Sequence, residues 1–122
     1  IKSDLGPLRL IKTKSGLNII DSSYSANPDG VVADLEYLKV WEGKRAIVMP
    51  CLIELGKKAK EVHFRIGQKI DEVCDLAIIT TKDYFKEIQR GTESEGMERE
   101  KVIYLEKPEA VFEKLRDFRG PE

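Results

Sequence analysis

The chain has 122 residues, 41% of them hydrophobic and 35% charged, with a net charge of −1 and a pI near 6.0. That is the size of one ordinary domain with a single core and a well-solvated surface. Near-neutral charge argues against a mainly electrostatic nucleic-acid or membrane role, no apolar run is long enough to span a bilayer, and no basic-then-apolar start marks a secretory signal.

Residues Ile1 to Pro7 show no periodicity and read as the trailing end of a linker. Leu8 to Lys14 reads as a strand, Ser15-Gly16 as a two-residue turn, and Leu17 to Asp21 as its hairpin partner. A polar loop follows, Asp21-Ser22-Ser23-Tyr24-Ser25-Ala26-Asn27, and then Pro28-Asp29. Asn is a favoured N-cap, Pro is favoured at the first helical position, and an acid suits the first turn. A helix is therefore expected from Pro28 to about Trp41, with Val31, Leu35 and Leu38 on its core-facing stripe, Tyr37 and Trp41 sealing the rim, and Gly43 as the stop.

Ala46 to Met49 is a second apolar strand, broken by Pro50, and Cys51 to Gly56 forms the next loop. A helix from Lys57 to Val73 carries Ala59, Val62, Ile66, Ile70 and Val73 at helical spacing. Leu76 to Ile79 is a third apolar strand, ending at Thr80-Thr81-Lys82. A short helix from Asp83 to Gln89 should carry Tyr84, Phe85 and Ile88. Arg90 to Lys101, charged and containing Gly91 and Gly96, reads as a mobile surface loop. Val102 to Leu105 is a fourth strand, and Pro108 opens a last helix through Phe118 with Val111, Leu115 and Phe118 facing in.

Strands that alternate with helices imply an α/β fold, a mostly parallel sheet with helices on both faces. The N-terminal hairpin adds an antiparallel edge. Residues 1–122 read as a single domain. The terminal Gly120-Pro121-Glu122 is a turn that can lead into a further strand, so the domain reads as truncated from a longer chain.

Three βα loops, Ser22 to Asn27, Pro50 to Glu54 and Thr80 to Lys82, should share the carboxyl edge of such a sheet, where open α/β sheets bind ligands. They offer hydroxyls, an amide, a phenol, the Glu54 carboxylate and the Lys82 ammonium. That set can orient a polar ligand and is poor for acid–base chemistry. The Asn27-Pro28 helix start suits a carboxylate or phosphate, or it is simply a capped connection. His63 lies beside Ala59, Ile66, Gly67 and Ile70, as a packed or hydrogen-bonded histidine or as a base. Cys51 and Cys74 form no CxxC, and with one histidine they make no ordinary zinc site. They read as reduced thiols of a cytosolic protein, Cys74 as packing and Cys51 within a ligand loop. No GxGxxG, GxxxxGK[ST] or GxSxG occurs, so there is no dinucleotide fingerprint, phosphate-cradling loop or nucleophile elbow.

The segment Asp21 to Pro28 resembles the DDSYNANP motif of the Mur ligases. Ile47 to Gly56, with Ile53-Glu54-Leu55-Gly56, is similar to their VLGDMLELG segment, and His63 with Gly67 matches HxxIG on the following helix. The resemblance runs from about Gly6 to Pro121. It is strongest to the branch that joins D-alanyl-D-alanine to a UDP-N-acetylmuramoyl tripeptide in peptidoglycan precursor synthesis. It implies a C-terminal domain, a Rossmann-like three-layer sandwich that receives the incoming amino acid or dipeptide and closes over ATP. Upstream domains then carry the UDP-sugar site, the P-loop and the magnesium ligands. The phosphorylated substrate carboxylate is attacked by the incoming amine. The resemblance implies substrate or nucleotide contacts at Asp21, Ser22, Tyr24, Ser25, Asn27 and Glu54, no catalytic or metal-ligating residue in this chain, ATP and magnesium only in the full-length enzyme, an inactive fragment, and a bacterial cytoplasmic setting. Tyr24, Asn27 and Glu54 match the family pattern. Pro7 stands where an arginine reaches ATP, with Arg9 two residues on. Ser22 replaces the second acid, Ser25 the first asparagine, and Pro50-Cys51 the Gly-Asp pair. These departures imply weakened or rearranged ATP contacts. They leave two expectations, an active ligase domain or a non-catalytic binding module derived from one.

Overall fold

The structure, a computed structural model, describes residues 9–12, 16–23 and 27–119, the first four and the last by backbone alone. Nine elements follow in order: β1 (Arg9–Lys12), β2 (Leu17–Asp21), α1 (Pro28–Leu38), β3 (Lys44–Met49), α2 (Ala59–Val73), β4 (Leu76–Ile79), α3 (Phe85–Ser94), β5 (Val102–Tyr104) and α4 (Pro108–Arg119). The sheet order is β1-β2-β3-β4-β5. β1 runs antiparallel to β2, with Arg9 opposite Asp21, and every later pair is parallel. The architecture is the mostly parallel α/β sheet expected from the alternating pattern, and the Rossmann-like sandwich that the resemblance implies.

The strands advance across the sheet in one direction. Successive right-handed crossovers then deliver their helices to the same face. So it is here: α1, α2 and α3 cover the face carrying Ile20, Ile47, Met49, Ala77, Ile79 and Val102. Val31, Leu35 and Leu38 of α1 and Ile66, Ile70 and Val73 of α2 close this larger core, as their spacing predicts. The opposite face presents Leu17, Ile19, Ala46, Leu76 and Ile78 to α4, through Val111, Leu115 and Phe118. Helices do lie on both faces, but three to one.

Two elements differ from expectation. α3 runs on to Ser94, through Gly91 and Thr92, which are both buried. Gly91 is no breaker: it lets α3 approach Gly67 of α2 so closely that a Cβ at either would strike the other helix's backbone. The expected loop from Arg90 to Lys101 is thus half helix, and it ends in a 3₁₀ turn, Arg99–Lys101. α1 stops at Leu38, short of Trp41. There the Arg45 guanidinium takes the carbonyls of Lys39 (2.9 Å) and Trp41 (2.8 Å), and that of Val73 (3.2 Å) at the end of α2. One cation near the start of β3 thus binds carbonyls just past the end of α1 and at the end of α2.

Candidate site at the carboxyl edge of the sheet

The parallel register brings the strand ends together. Asp21 pairs with Val48, and Met49 with Ile79. Backbone bonds carry the alignment one residue past each strand, from the Ser22 N–H to Val48 O (2.8 Å), Thr80 N–H to Met49 O (2.9 Å) and Leu105 N–H to Ile79 O (3.0 Å). The loops after β2, β3, β4 and β5 therefore leave one edge.

The first loop is pinned to its own neighbourhood. The Asp21 carboxylate accepts from the Ser23 N–H (3.0 Å) and hydroxyl (2.5 Å), a local turn that holds Asp21 Oδ1 in place. Ser22 is 2% exposed and its hydroxyl donates to Asp34 Oδ2 of α1 at 2.5 Å. It faces inward and presents no side chain to the edge. Asn27 is exposed and extended, and its Oδ1 accepts from the Gly30 N–H at 2.8 Å. The cap is formed, and with Asp29 in the first turn it uses part of the positive potential that an anion would seek. Tyr24 and Ser25 lie outside the described residues.

The second and third loops are fastened to each other. The Cys51 N–H donates to Thr81 Oγ1 (2.8 Å), the Cys51 thiol donates to Thr81 O (3.4 Å), and its sulfur accepts from the Tyr84 N–H (3.2 Å). Cys51 is 4% exposed, so this thiol braces the loops. Cys74 is packed at the end of α2, where burial, then the Asp75 carboxylate, push its thiol well above the usual range. His63 is fully buried; its Nε2 accepts from the Leu52 N–H (2.9 Å), its Nδ1 reaches Ala59 O (2.7 Å), and its ring stacks on Tyr84. It is a hydrogen-bonded core histidine. Next to this brace, Ile53 is 68% exposed and Glu54 is exposed with φ of 62°, a left-handed backbone that a non-glycine residue seldom adopts.

On the α4 side, Asp21, Ser23, Thr80 and Glu106 rim a cavity of about 330 Å³ floored by Ile19, Val48 and Leu115. The sequence reading named Asp21 and missed Thr80's neighbour Glu106. Its signal was present, an acid between a short apolar strand and the Lys107-Pro108 helix start, marking a fourth βα loop. The edge so described offers carboxylates from Asp21, Glu54 and Glu106, and hydroxyls from Ser23 and Thr80. Among the described residues Lys57, Lys58, Lys82 and Lys107 are exposed cations in these loops, and no cluster of three His, Cys, Asp or Glu residues could hold a metal. This mixed set can orient a polar ligand. No described helix is long and apolar enough to cross a membrane.

The chain is similar to known proteins over most of its length. The family model for the Mur ligase, glutamate ligase domain, matches residues 8–120. A UDP-N-acetylmuramoyl-tripeptide–D-alanyl-D-alanine ligase of Bacillus subtilis (strain 168) is 37% identical over 73 residues, covering 54% of this chain and 16% of that protein. The ligase of the same name from Haemophilus influenzae is 31% identical over 68 residues, covering 56% of this chain and 15% of that one. Among solved structures, the MurF ligase from Thermotoga maritima in complex with ADP superposes with a TM-score of 0.69 at 23% identity, covering 92% of this chain and 24% of that one. MurF from Acinetobacter baumannii gives 0.70 at 22% identity, with 95% and 25% covered. The chain spans 15 to 16% of the length of the curated relatives it matches.

Proposed function

This chain belongs to the Mur ligase family, glutamate ligase domain, and on that premise we propose that it works as one domain of an ATP-dependent amide-bond ligase of peptidoglycan precursor synthesis in the bacterial cytoplasm. In this reading residues 1–122 form a single unit of a longer protein whose other domains hold the UDP-N-acetylmuramoyl peptide, the P-loop and magnesium. The unit receives the incoming amino acid or D-alanyl-D-alanine and closes over ATP. Its catalytic contribution is proximity: an amine held against an acyl phosphate reacts far faster than one that must diffuse to it, and closure keeps water away. The reactive group is supplied elsewhere, so this chain needs contact residues and no acid–base pair. We assign contact to Asp21, Tyr24, Ser25, Asn27 and Glu54, and to Ser22 only through its hold on Asp34.

One observation supports this above the rest. The loops that carry the family motifs leave the same edge of the sheet, and that edge carries carboxylates, ammonium groups and hydroxyls. Carboxylates there suit an ammonium group on its way to the acyl phosphate. The test is a chimera in which this chain replaces the corresponding domain of the Bacillus subtilis relative. D-Alanyl-D-alanine-dependent or amino-acid-dependent phosphate release is expected. A soluble chimera that binds ATP and releases no phosphate with any such amine would refute the active-ligase reading.

The second reading is a non-catalytic binding module descended from such a ligase. The inward Ser22 favours it, because no charge from position 22 reaches the edge. If it is correct, Pro7→Arg with Ser22→Asp and Asp34→Asn gains no ATP turnover in a folded chimera.

A further inference from the structure

We infer that His63 is a positioning residue that locks the loops after β3 and β4 into one platform and so sets where Glu54 and Ile53 stand. The inference rests on the reading that the Glu54 loop is a ligand loop. His63 is fully buried on α2, and its two nitrogens meet groups of opposite kind. The Leu52 N–H can only donate, and it points at Nε2 from 2.9 Å. The Ala59 carbonyl can only accept, and it lies 2.7 Å from Nδ1. Only the neutral ring with its proton on Nδ1 satisfies both. The imidazole thus works as a two-ended connector between the first turn of α2 and the middle of the preceding loop.

The connection continues into the next loop. The His63 ring stacks on Tyr84, with centroids 4.5 Å apart and planes 15° from parallel. The Tyr84 N–H bonds to Cys51 Sγ, and Cys51 N–H bonds to Thr81 Oγ1. His63, Leu52, Cys51, Thr81 and Tyr84 therefore close a ring of contacts through two loops that are far apart in sequence. Glu54, two residues beyond Leu52, keeps its left-handed backbone immediately outside this ring. Its side chain is exposed. Ser22 and Asn27, by contrast, bond to α1, through Asp34 and Gly30.

Nitrogen-15 NMR of the intact chain tests this without any ligand. The His63 ring should show the Nδ1–H tautomer. Gln at position 63 places an amide oxygen near Nε2 and can still accept from Leu52, whereas Asn reaches only the Nδ1 position. His63→Gln should keep the Leu52 amide protected and the Ile53, Glu54, Thr81 and Tyr84 amide shifts near wild type. His63→Asn should speed Leu52 exchange by about tenfold, the equivalent of one lost hydrogen bond, and shift the amides of both loops. An Nε2–H tautomer, equal effects of Gln and Asn, or changes confined to residues 52–54 would each overturn the inference. If His63→Asn does not fold, the wild-type tautomer alone decides. A failed chimera with these signatures intact would count against the ligase reading and leave the platform standing.

Discussion

Replacing Gly67 with alanine sets two known effects against each other. In a helix interior, alanine is better than glycine by about 1 kcal/mol, so propensity alone predicts a more stable protein. The packing predicts the reverse. A Cβ at Gly67 would fall inside the envelope of the Ile88 carbonyl oxygen and 3.0 Å from the Gly91 Cα, and both obstacles are main chain. No rotamer change relieves such a contact, so α2 and α3 must separate. Overpacking of this kind costs about 1–3 kcal/mol, and an unyielding backbone places this case at the upper end. Separation also loosens Ile66, Ile70 and Ile88, all essentially inaccessible to solvent. Subtracting the propensity gain leaves a net loss of about 2 kcal/mol. With a urea m-value of about 1–3 kcal/mol/M for a small domain, the midpoint should fall by roughly 1 M. Gly91→Ala, which meets the Phe64 carbonyl, should behave alike. The double variant should cost less than the sum, since one separation relieves both contacts. A Gly67→Ala protein that unfolds at the same or a higher urea concentration would show that the helices do not approach as closely as described.

Asn27→Ala should lower stability by about 1 kcal/mol through loss of the bond to the Gly30 N–H, and Asn27→Asp should restore most of it, measured by urea unfolding. Ser22→Asp, which restores the family acid, sets a second carboxylate against Asp34 where Ser22 is 2% exposed, and should cost about 2 kcal/mol or more at pH 7. The folded pair then binds a proton more tightly than the unfolded chain. The penalty is therefore full above the pair's raised pKa and shrinks as pH falls through it, and a cost that stays flat from pH 7 to about pH 4 would contradict this. Restoring position 22 without loss should require Asp34→Asn as well. The Tyr104 phenol, held by its hydrogen bond to Glu106 and then by burial, is raised to about 12, and phenolate absorbance should show this by difference from Tyr104→Phe. Because the folded value lies above the ordinary 10, the stability this group lends is present below that pH and disappears as pH climbs toward 12; Glu106→Gln should narrow the window.

The fold was legible where hydrophobic period and local chemistry agreed. Leu17–Asp21 and Leu76–Ile79 fall where their β-branched runs predict. The α1 stripe and its Asn27 cap could be read from spacing alone. Gly91 misled because a glycine between charges looks the same whether it ends a helix or admits a neighbouring one. α1 ends at Leu38 in a tight turn, where the Val40 and Trp41 N–H groups bond the Tyr37 and Leu38 carbonyls and Arg45 takes the carbonyls just beyond, of Lys39 and Trp41. The site was harder. Alignment of the strand ends follows from alternation of strands and helices, so the shared edge was foreseeable. That Ser22 turns inward to Asp34, that Cys51 braces Thr81, and that Glu106 joins the rim all depend on packing between segments. His63 is intermediate: its apolar neighbours on α2 announced burial, and only the folded loop revealed what its nitrogens hold.

Among the described strands, each pairs with the one that precedes it in sequence. A chain of this kind can assemble in the order in which it is made. Every new βα unit finds its docking partner already in place, and no strand has to be threaded between two earlier ones. Loop closure therefore stays short at each step, the condition under which α/β domains fold quickly. During growth the described sheet keeps one edge at β1 and moves the other to the newest strand, so no interior strand is left with a bare row of amides and carbonyls.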